Sequence, residues 1–327
     1  MKYTIIKLKN LSPLHLGTGK DNYDFSSSML QSDTISSALA SMRAWTGKCN
    51  DVKEFLESFT VSSAFPYYKD IFFLPAPSFH LNVNVHSDND NYVYQKKLKK
   101  IQFIDAQIWP SVINRMPLEI DFDQIHGEFL LDKENRNNFT SNDKIKTTQL
   151  IERVSIPNQG LEAIPFYFSW DFFQSNSGLY CLLQASEETK DEIISLFRLL
   201  GKNGIGTDKS VGGGLFDIET GELDIPNTSD GNQQILLSTY LPSQNELMSI
   251  NLKESYYDLL LRGGFMNGSE REELRHLRKK SVYMFAPGSI LNTTQLLSGQ
   301  VIDLKPNWNK EIHPVFRSGK PFYITIK

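Results

Sequence analysis

GIGTDKSVGGGLF, running from Gly204 to Phe216, holds five glycines around a Thr-Asp-Lys-Ser core, and what flanks it decides the fold. Upstream, Ile193, Leu196, Phe197 and Leu200 recur at helical spacing, and Gly201 or Gly204 is placed to end that helix. Before the helix, GLYCLLQAS (Gly178 to Ser186) reads as a buried strand. After the loop, LFDIETGEL (Leu215 to Leu223) reads as another. Strand, helix, Gly-rich loop, strand is the chain order of half a ferredoxin-like βαββαβ unit.

The same placement excludes two nucleotide-binding loops. A P-loop needs a glycine, four residues and Gly-Lys-Ser/Thr entering a helix. Here Asp208 precedes Lys209-Ser210, and the loop leaves a helix for a strand. The dinucleotide fingerprint fails on glycine spacing and on the same direction of travel. Two readings remain: a plain turn, or a backbone-lined anion site in which exposed N–H groups hold phosphate and Lys209 adds charge.

The chain has 327 residues, 40% of them hydrophobic and 22% charged, which predicts a globular protein of two ordinary domains. A formal net charge of -4 argues against a free-standing nucleic-acid-binding protein but not against a local basic groove. Cys49 and Cys181 are the only cysteines, so no disulfide framework or Cys-based zinc site is expected, and a reducing cytoplasm fits. No signal peptide or membrane span is expected either.

Tyr3, Ile5 and Leu8 open a first strand, and SDTISSALASMRAW (Ser32 to Trp45) follows as a helix with Ser32 or Asp33 as N-cap. The polar stretch at about 87–145, with KKLKK at Lys96 to Lys100, reads as an insertion, partly a hairpin. QLIERVSIP (Gln149 to Pro157) and FYFSWDFF (Phe166 to Phe173) return to strand character. Past NTSDGNQ the last block carries a charged helix over Ser269 to Lys280 and a final strand, FYITI. The expected class is α+β: two ferredoxin-like (RRM-like) domains with antiparallel sheets, over 1–224 (Gly-rich loop at 204–214) and 225–327.

Catalytic signals are weak. His15, His80, His86, His126, His276 and His313 include no i, i+3 or i+4 pair, so no helical metal pair is legible. Ser210 lies in no G-x-S-x-G elbow, and Glu187, Glu188 and Asp191 favour a helix dipole where they stand. No enzyme, cofactor or metal is expected. Basic segments are better organised. KKLKK runs into IQF, and RKKSVYMF (Arg278 to Phe285) repeats cations followed by aromatics, the pairing that single-stranded RNA binding uses.

Together these segments resemble the RAMP superfamily of CRISPR proteins, and more narrowly the 5′-handle-capping fourth subunit of type III-A Csm effector complexes. The resemblance is carried in order by LHLGTG (Leu14 to Gly19), SDTISSAL (Ser32 to Leu39), GIGTDKSVGGGLF, RGGF (Arg262 to Phe265), RKKSVYMFAPGS (Arg278 to Ser289) and HPVFRSG (His313 to Gly319). It implies a non-catalytic, cytoplasmic subunit that binds the CRISPR RNA 5′ handle. Its implied partners are the large polymerase-like subunit and the RAMP backbone subunit, with target RNA contacted indirectly and no membrane.

The implied RNA contacts are Gly204, Gly206, Asp208, Lys209, Ser210, Gly212, Gly213 and Gly214, with His15, Gly17, Asp33 and Thr34 lining the same groove. Lys96, Lys97, Lys99 and Lys100 belong to the implied thumb, Arg153 leads into the second half of the domain, and Arg262, Lys279, Lys280 and Arg317 complete the set. Gly213 stands where that family often carries a basic residue, which removes one phosphate contact. Two further readings stay open: a RAMP endoribonuclease with His15 as general base, and the equivalent subunit of a type III-B complex.

Overall fold

The computed structural model of the chain describes residues 1–17, 24–81, 83–86, 91–139, 144–156, 163–227, 231–266, 272–307 and 313–326. The elements that carry the site are β1 (Lys2–Lys9), α1 (Ser32–Trp45), β2 (Phe65–Tyr68), β3 (Lys146–Ser155), β4 (Ile164–Phe173), β5 (Ser177–Ala185), α2 (Glu187–Asn203) and β6 (Asp217–Asp224). In the last third follow β7 (Gln233–Leu236), β8 (Leu259–Arg262), β9 (Val282–Phe285), β10 (Ile290–Asn292) and β11 (Tyr323–Ile326).

β1 sits between two partners because its side chains are apolar toward both faces. Tyr3 and Ile5 enter one core, Ile6 and Leu8 the other, as a period of two requires. It pairs antiparallel with β5 (Ile6↔Cys181) and β6 (Thr4↔Glu222), and β5 pairs with β2 (Leu179↔Pro66). The resulting order β6-β1-β5-β2, with α1 joining β1 to β2 and α2 joining β5 to β6, is that of a βαββαβ unit. Ile35, Leu39 and Met42 of α1 and Ile193, Leu196, Phe197 and Leu200 of α2 close one face over Ile6, Leu8, Cys181 and Leu183. Each fully buried aliphatic side chain there contributes roughly 1.5–3 kcal/mol.

Ser186 caps α2, its Oγ accepting from Thr189 N at 3.3 Å, and Gly204 ends the helix at φ 80°. For α1 the expected cap is wrong. The N-cap is Gln31, and it makes no side-chain cap bond. Ser32 and Asp33 instead make tertiary contacts: Ser32 Oγ accepts from Thr239 N at 2.9 Å, and Asp33 meets two arginines.

The insertion also departs from expectation. Asn91–Leu98 is a helix bearing Lys96 and Lys97, and Lys99 and Lys100 form the turn after it. Phe103–Asp105 then joins the main sheet, because Phe103, Ile104, Trp109 and Ile113 are apolar and enter the same core as Tyr3 and Ile5. The long hairpin follows the insertion. β3 and β4 pair over ten residues each, from Lys146↔Phe173 to Ser155↔Ile164. Residues 140–143 and the hairpin's tip, 157–162, lie outside the described residues.

In the last third, β7 is the middle of a three-stranded antiparallel sheet, order β10-β7-β11. Ile235, Ile290 and Ile324 from these strands share the core of Tyr3 and Ile5. The helix expected over Ser269–Lys280 does not form among the described residues. Glu272–Leu274 is a single 3₁₀ turn, and Met266 and Leu277, then Gly264 and Lys279, pair backbone to backbone. Leu274 and Met266 make a small core of their own, with Leu277 and Val315 packed against it. No helix among the described residues is long and apolar enough to cross a membrane.

Candidate nucleic-acid interface

The Gly-rich loop is laid against the segment that leaves β1. Thr207 N donates to His15 O at 3.1 Å, Gly214 N to Pro13 O at 2.9 Å, and Leu215 N to Ser12 Oγ at 2.7 Å. The contact is backbone on backbone: at Gly206, with φ 92°, a Cβ would stand 2.5 Å from His15 O. Gly17 continues the same contact, 3.4 Å from Thr207 Cγ2 at the position a Cβ would take.

Where the loop turns outward, Asp208 adopts φ 58° and Lys209–Val211 forms one 3₁₀ turn. The backbone N–H groups of Asp208, Lys209 and Ser210 meet no acceptor among the described residues. Three successive unfilled N–H groups on a turn are donors an anion can use. Lys209 stands beside it at the surface, with its pKa lowered by partial desolvation. Gly212 leaves open space where a side chain would be, with nothing within 4 Å.

The hairpin lies against this turn. Arg153 of β3 pairs with Asp208, and its guanidinium lies 4.4 Å from the Phe168 ring centroid and 5.5 Å from that of Trp170. His15 packs its ring 4.5 Å from Phe168 and donates through Nδ1 to Ser169 O at 2.8 Å; it is 1% exposed. Trp170 covers Gly213. Sequence reasoning named Arg153 and His15 but missed Phe168 and Trp170. Their spacing of two, which puts both on one face of β4, was the available signal.

A second group forms where α1 meets the last third of the chain. Asp33 is fully buried; Arg262 donates to it through Nε and Nη2, both at 3.0 Å, and Arg317 pairs with it as well. Arg262 Nη2 also donates to Thr34 Oγ1 at 2.9 Å, and Arg317 Nη2 to Gly263 O at 2.9 Å. Burial pulls both guanidinium pKa values down to about 10, so both stay charged at neutral pH. Lys279 adds a third cation; burial, aided by Arg262, lowers its pKa to about 8. One carboxylate thus holds two guanidiniums with Lys279 near Arg262, and Arg317 Nε is buried with no hydrogen-bond partner among the described residues. Asp33 acts on any ligand only through the guanidiniums it holds.

Lys280 projects outward, while its N–H donates to Leu304 O. The lysine run of the insertion is not joined to the loop: Phe103–Asp105, which follows it, stands five places along the sheet from β6. Lys97 is instead over the Phe122 ring, 3.4 Å from its centroid. Among the described residues no three His, Cys, Asp or Glu side chains converge to hold a metal ion.

Comparison with known proteins bears on the fold. Residues 229–326 match the CRISPR Csm4 C-terminal domain. Over 285 residues the chain is 23% identical to the CRISPR system protein Csm4 of Thermococcus onnurineus (strain NA1), covering 83% of this chain and 87% of that one. A chain of the crystal structure of a Csm3–Csm4 subcomplex, from the type III-A CRISPR-Cas interference complex, is similar with a TM-score of 0.66. It is 17% identical and covers 100% of both chains. A chain of the Csm1–Csm4 cassette in complex with cA4 gives 0.64 at 19% identity, covering 100% of this chain and 98% of that one. At these identities the structural likeness is one of fold.

Proposed function

We propose that this chain, a Csm4-like RAMP protein, is a non-catalytic subunit of a type III CRISPR RNA-guided interference complex and holds the 5′ handle of the CRISPR RNA. The observation that carries the reading is the run of unfilled N–H groups at Asp208, Lys209 and Ser210, with Lys209 beside it and Arg153 of the hairpin paired with Asp208. Backbone donors and a cation suit a phosphodiester, while the buried Phe168 and Trp170 rings support the loop from behind. Gly204, Gly206 and Gly214 close the loop on the chain's own backbone, and Gly212 leaves open space for an RNA strand to approach. Arg262, Arg317, Lys279 and Lys280 form a second cationic surface for that strand.

His15 does not favour the endoribonuclease reading, since it is buried against Phe168 where a general base would need access to the strand, and the same burial makes it a support of the loop and hairpin. Two ferredoxin-like domains, 1–224 and 225–327, fit the β6-β1-β5-β2 order and a C-terminal sheet whose middle strand comes first in the chain. Relatives crystallised as Csm3–Csm4 and Csm1–Csm4 assemblies support a backbone RAMP subunit and a large polymerase-like subunit as partners, and a cytoplasmic location is part of the same proposal. Exposed apolar side chains fit such interfaces: Leu261 and Tyr283, opposed on β8 and β9, are 56% and 62% exposed.

Co-expression with the partner subunits and a repeat-bearing RNA, followed by affinity purification through this chain, tests the reading. The expected outcome is co-purifying RNA whose 5′ end is repeat-derived and protected, lost together when Lys209 and Ser210 are replaced. Assembly of a complex with no protected 5′ segment would overturn it.

A further inference from the structure

A cleft of about 490 Å³ lies between the segment leaving β1, the base of the β3–β4 hairpin and the insertion. Phe103, Phe129, Phe139 and Phe173 form its walls, and Phe103 and Phe129 stack at 5.7 Å with 20° between their planes. Two carboxylates enter this apolar space. Asp171 is satisfied, its oxygens accepting from Lys146 Nζ at 2.8 Å and Thr148 Oγ1 at 2.6 Å. Glu128 is not: its side chain has no hydrogen bond or ion pair among the described residues. Its backbone is fixed, since Gln102 N and Phe103 N both donate to Glu128 O, at 2.9 and 3.0 Å. Burial raises its pKa; Lys146 opposes the rise, and Asp171 adds to it.

An ionised carboxylate accepts through two oxygens and donates nothing. Leaving it half-buried without donors is costly, and a ligand that supplies two donors on one edge removes that cost. The Phe walls select for a flat, apolar-faced ring. Among the RNA bases, guanine alone offers two adjacent donors on one edge, N1–H and the 2-amino group. Adenine and cytosine place a ring acceptor beside their amino group, and uracil flanks its single N–H with carbonyls.

Leu14 and Leu16 line the cleft, and between them His15 O receives the N–H of Thr207 from the Gly-rich loop. One short segment is therefore the wall of the cleft and the floor of the loop.

We propose that this cleft is a guanine pocket in which the Glu128 carboxylate accepts from N1–H and the 2-amino group of an unstacked base, the ring lying against the Phe walls. For the source of the base, a single-stranded RNA, the proposal rests on the RNA-binding reading above; guanine recognition itself does not.

The test uses the full chain and fluorescence anisotropy at fixed salt. The probes are short uridine oligoribonucleotides carrying one guanosine at successive positions, and the same oligomers with inosine or adenosine in its place. One register is expected at which guanosine binds roughly tenfold more tightly than either substitute, the range of one good bidentate base contact. Glu128→Gln, which keeps size and shape, should erase that preference and favour adenosine or cytidine. Lys209→Ala should weaken all oligomers alike and leave the guanosine preference intact.

Guanosine monophosphate added as competitor separates the two sources of the base. Competition confined to the guanosine-dependent part marks a pocket that also takes the free nucleotide, and no competition marks one that reads guanine within a strand. Oligomers that bind with no position-dependent preference, or a preference unchanged in Glu128→Gln, would overturn the pocket while leaving the RNA reading in place. Binding of the monophosphate without any oligomer binding would overturn the RNA reading and leave the pocket. No binding of either would overturn both.

Discussion

Trp170 lies over Gly213, so that a Cβ on that glycine would stand 2.6 Å from the ring's Cη2 and 3.0 Å from Asp208 O. The absence of a basic side chain at this position is therefore tied to the hairpin: the indole, 6% exposed, occupies the space that a lysine stem would need. Trp170 and Gly213 form one packing unit, and the loop's shape depends on both.

Gly213→Lys is accordingly expected to weaken RNA binding although it adds a positive charge. Overpacking at a filled site costs about 1–3 kcal/mol and displaces the loop backbone. Thermal melting should show the loss, and Trp170→Ala combined with Gly213→Lys should recover part of it. A single Gly213→Lys variant that binds RNA more tightly at unchanged melting temperature would separate the two residues.

Much of this was legible in the chain. The alternation in β1, the spacing of Ile193, Leu196, Phe197 and Leu200, and the position of Gly204 set the strand–helix–loop–strand order without tertiary information. Three features were not legible, each for a physical reason. The insertion looked peripheral because it is polar on average, yet Phe103, Ile104 and Trp109 dock in the main core. Residues 269–280 have helical spacing, but the pairing of Met266 with Leu277 overrides it. Asp33 and Arg262 meet across 229 positions of sequence, a distance no local pattern encodes.

Asp33→Ala should destabilise the protein by about 3–5 kcal/mol, because it leaves the two buried guanidiniums without their counter-ion. Urea unfolding measures this directly. Replacing Asp33, Arg262 and Arg317 together by apolar residues of similar size should cost less than Asp33→Ala alone, and a larger loss in the triple variant would contradict the account of the cluster.

Lys279 gives a pH dependence of defined sign. Its pKa is lowered to about 8 in the folded chain, against about 10.4 for an ordinary lysine. Between those values the unfolded chain binds more protons, so folding stability should rise with pH across that window. RNA affinity should move oppositely, falling as pH passes about 8, since the neutral amine no longer attracts phosphate. Lys279→Met should flatten both curves; melting and anisotropy across pH 7 to 10 check them.

Arg153→Ala should free the hairpin from the loop. The pair with Asp208 is partly exposed, so the cost in global stability is about 1 kcal/mol or less. The local effect is larger: amide hydrogen exchange in β3 and in the 208–212 turn should quicken, while that of β1 and β5 stays unchanged. Uniform exchange across the chain would show that Arg153 does not couple hairpin and loop.

The central claim is that the loop around Lys209 holds an RNA backbone. Its most direct test is the salt dependence of single-stranded RNA binding by the full chain and by Lys209→Ala. Each lost phosphate contact on a single strand lowers the slope of log affinity against log salt by about 0.7. The expected result is weaker binding with a slope shallower by about that amount. An unchanged affinity and an unchanged slope would place the RNA elsewhere and contradict the account.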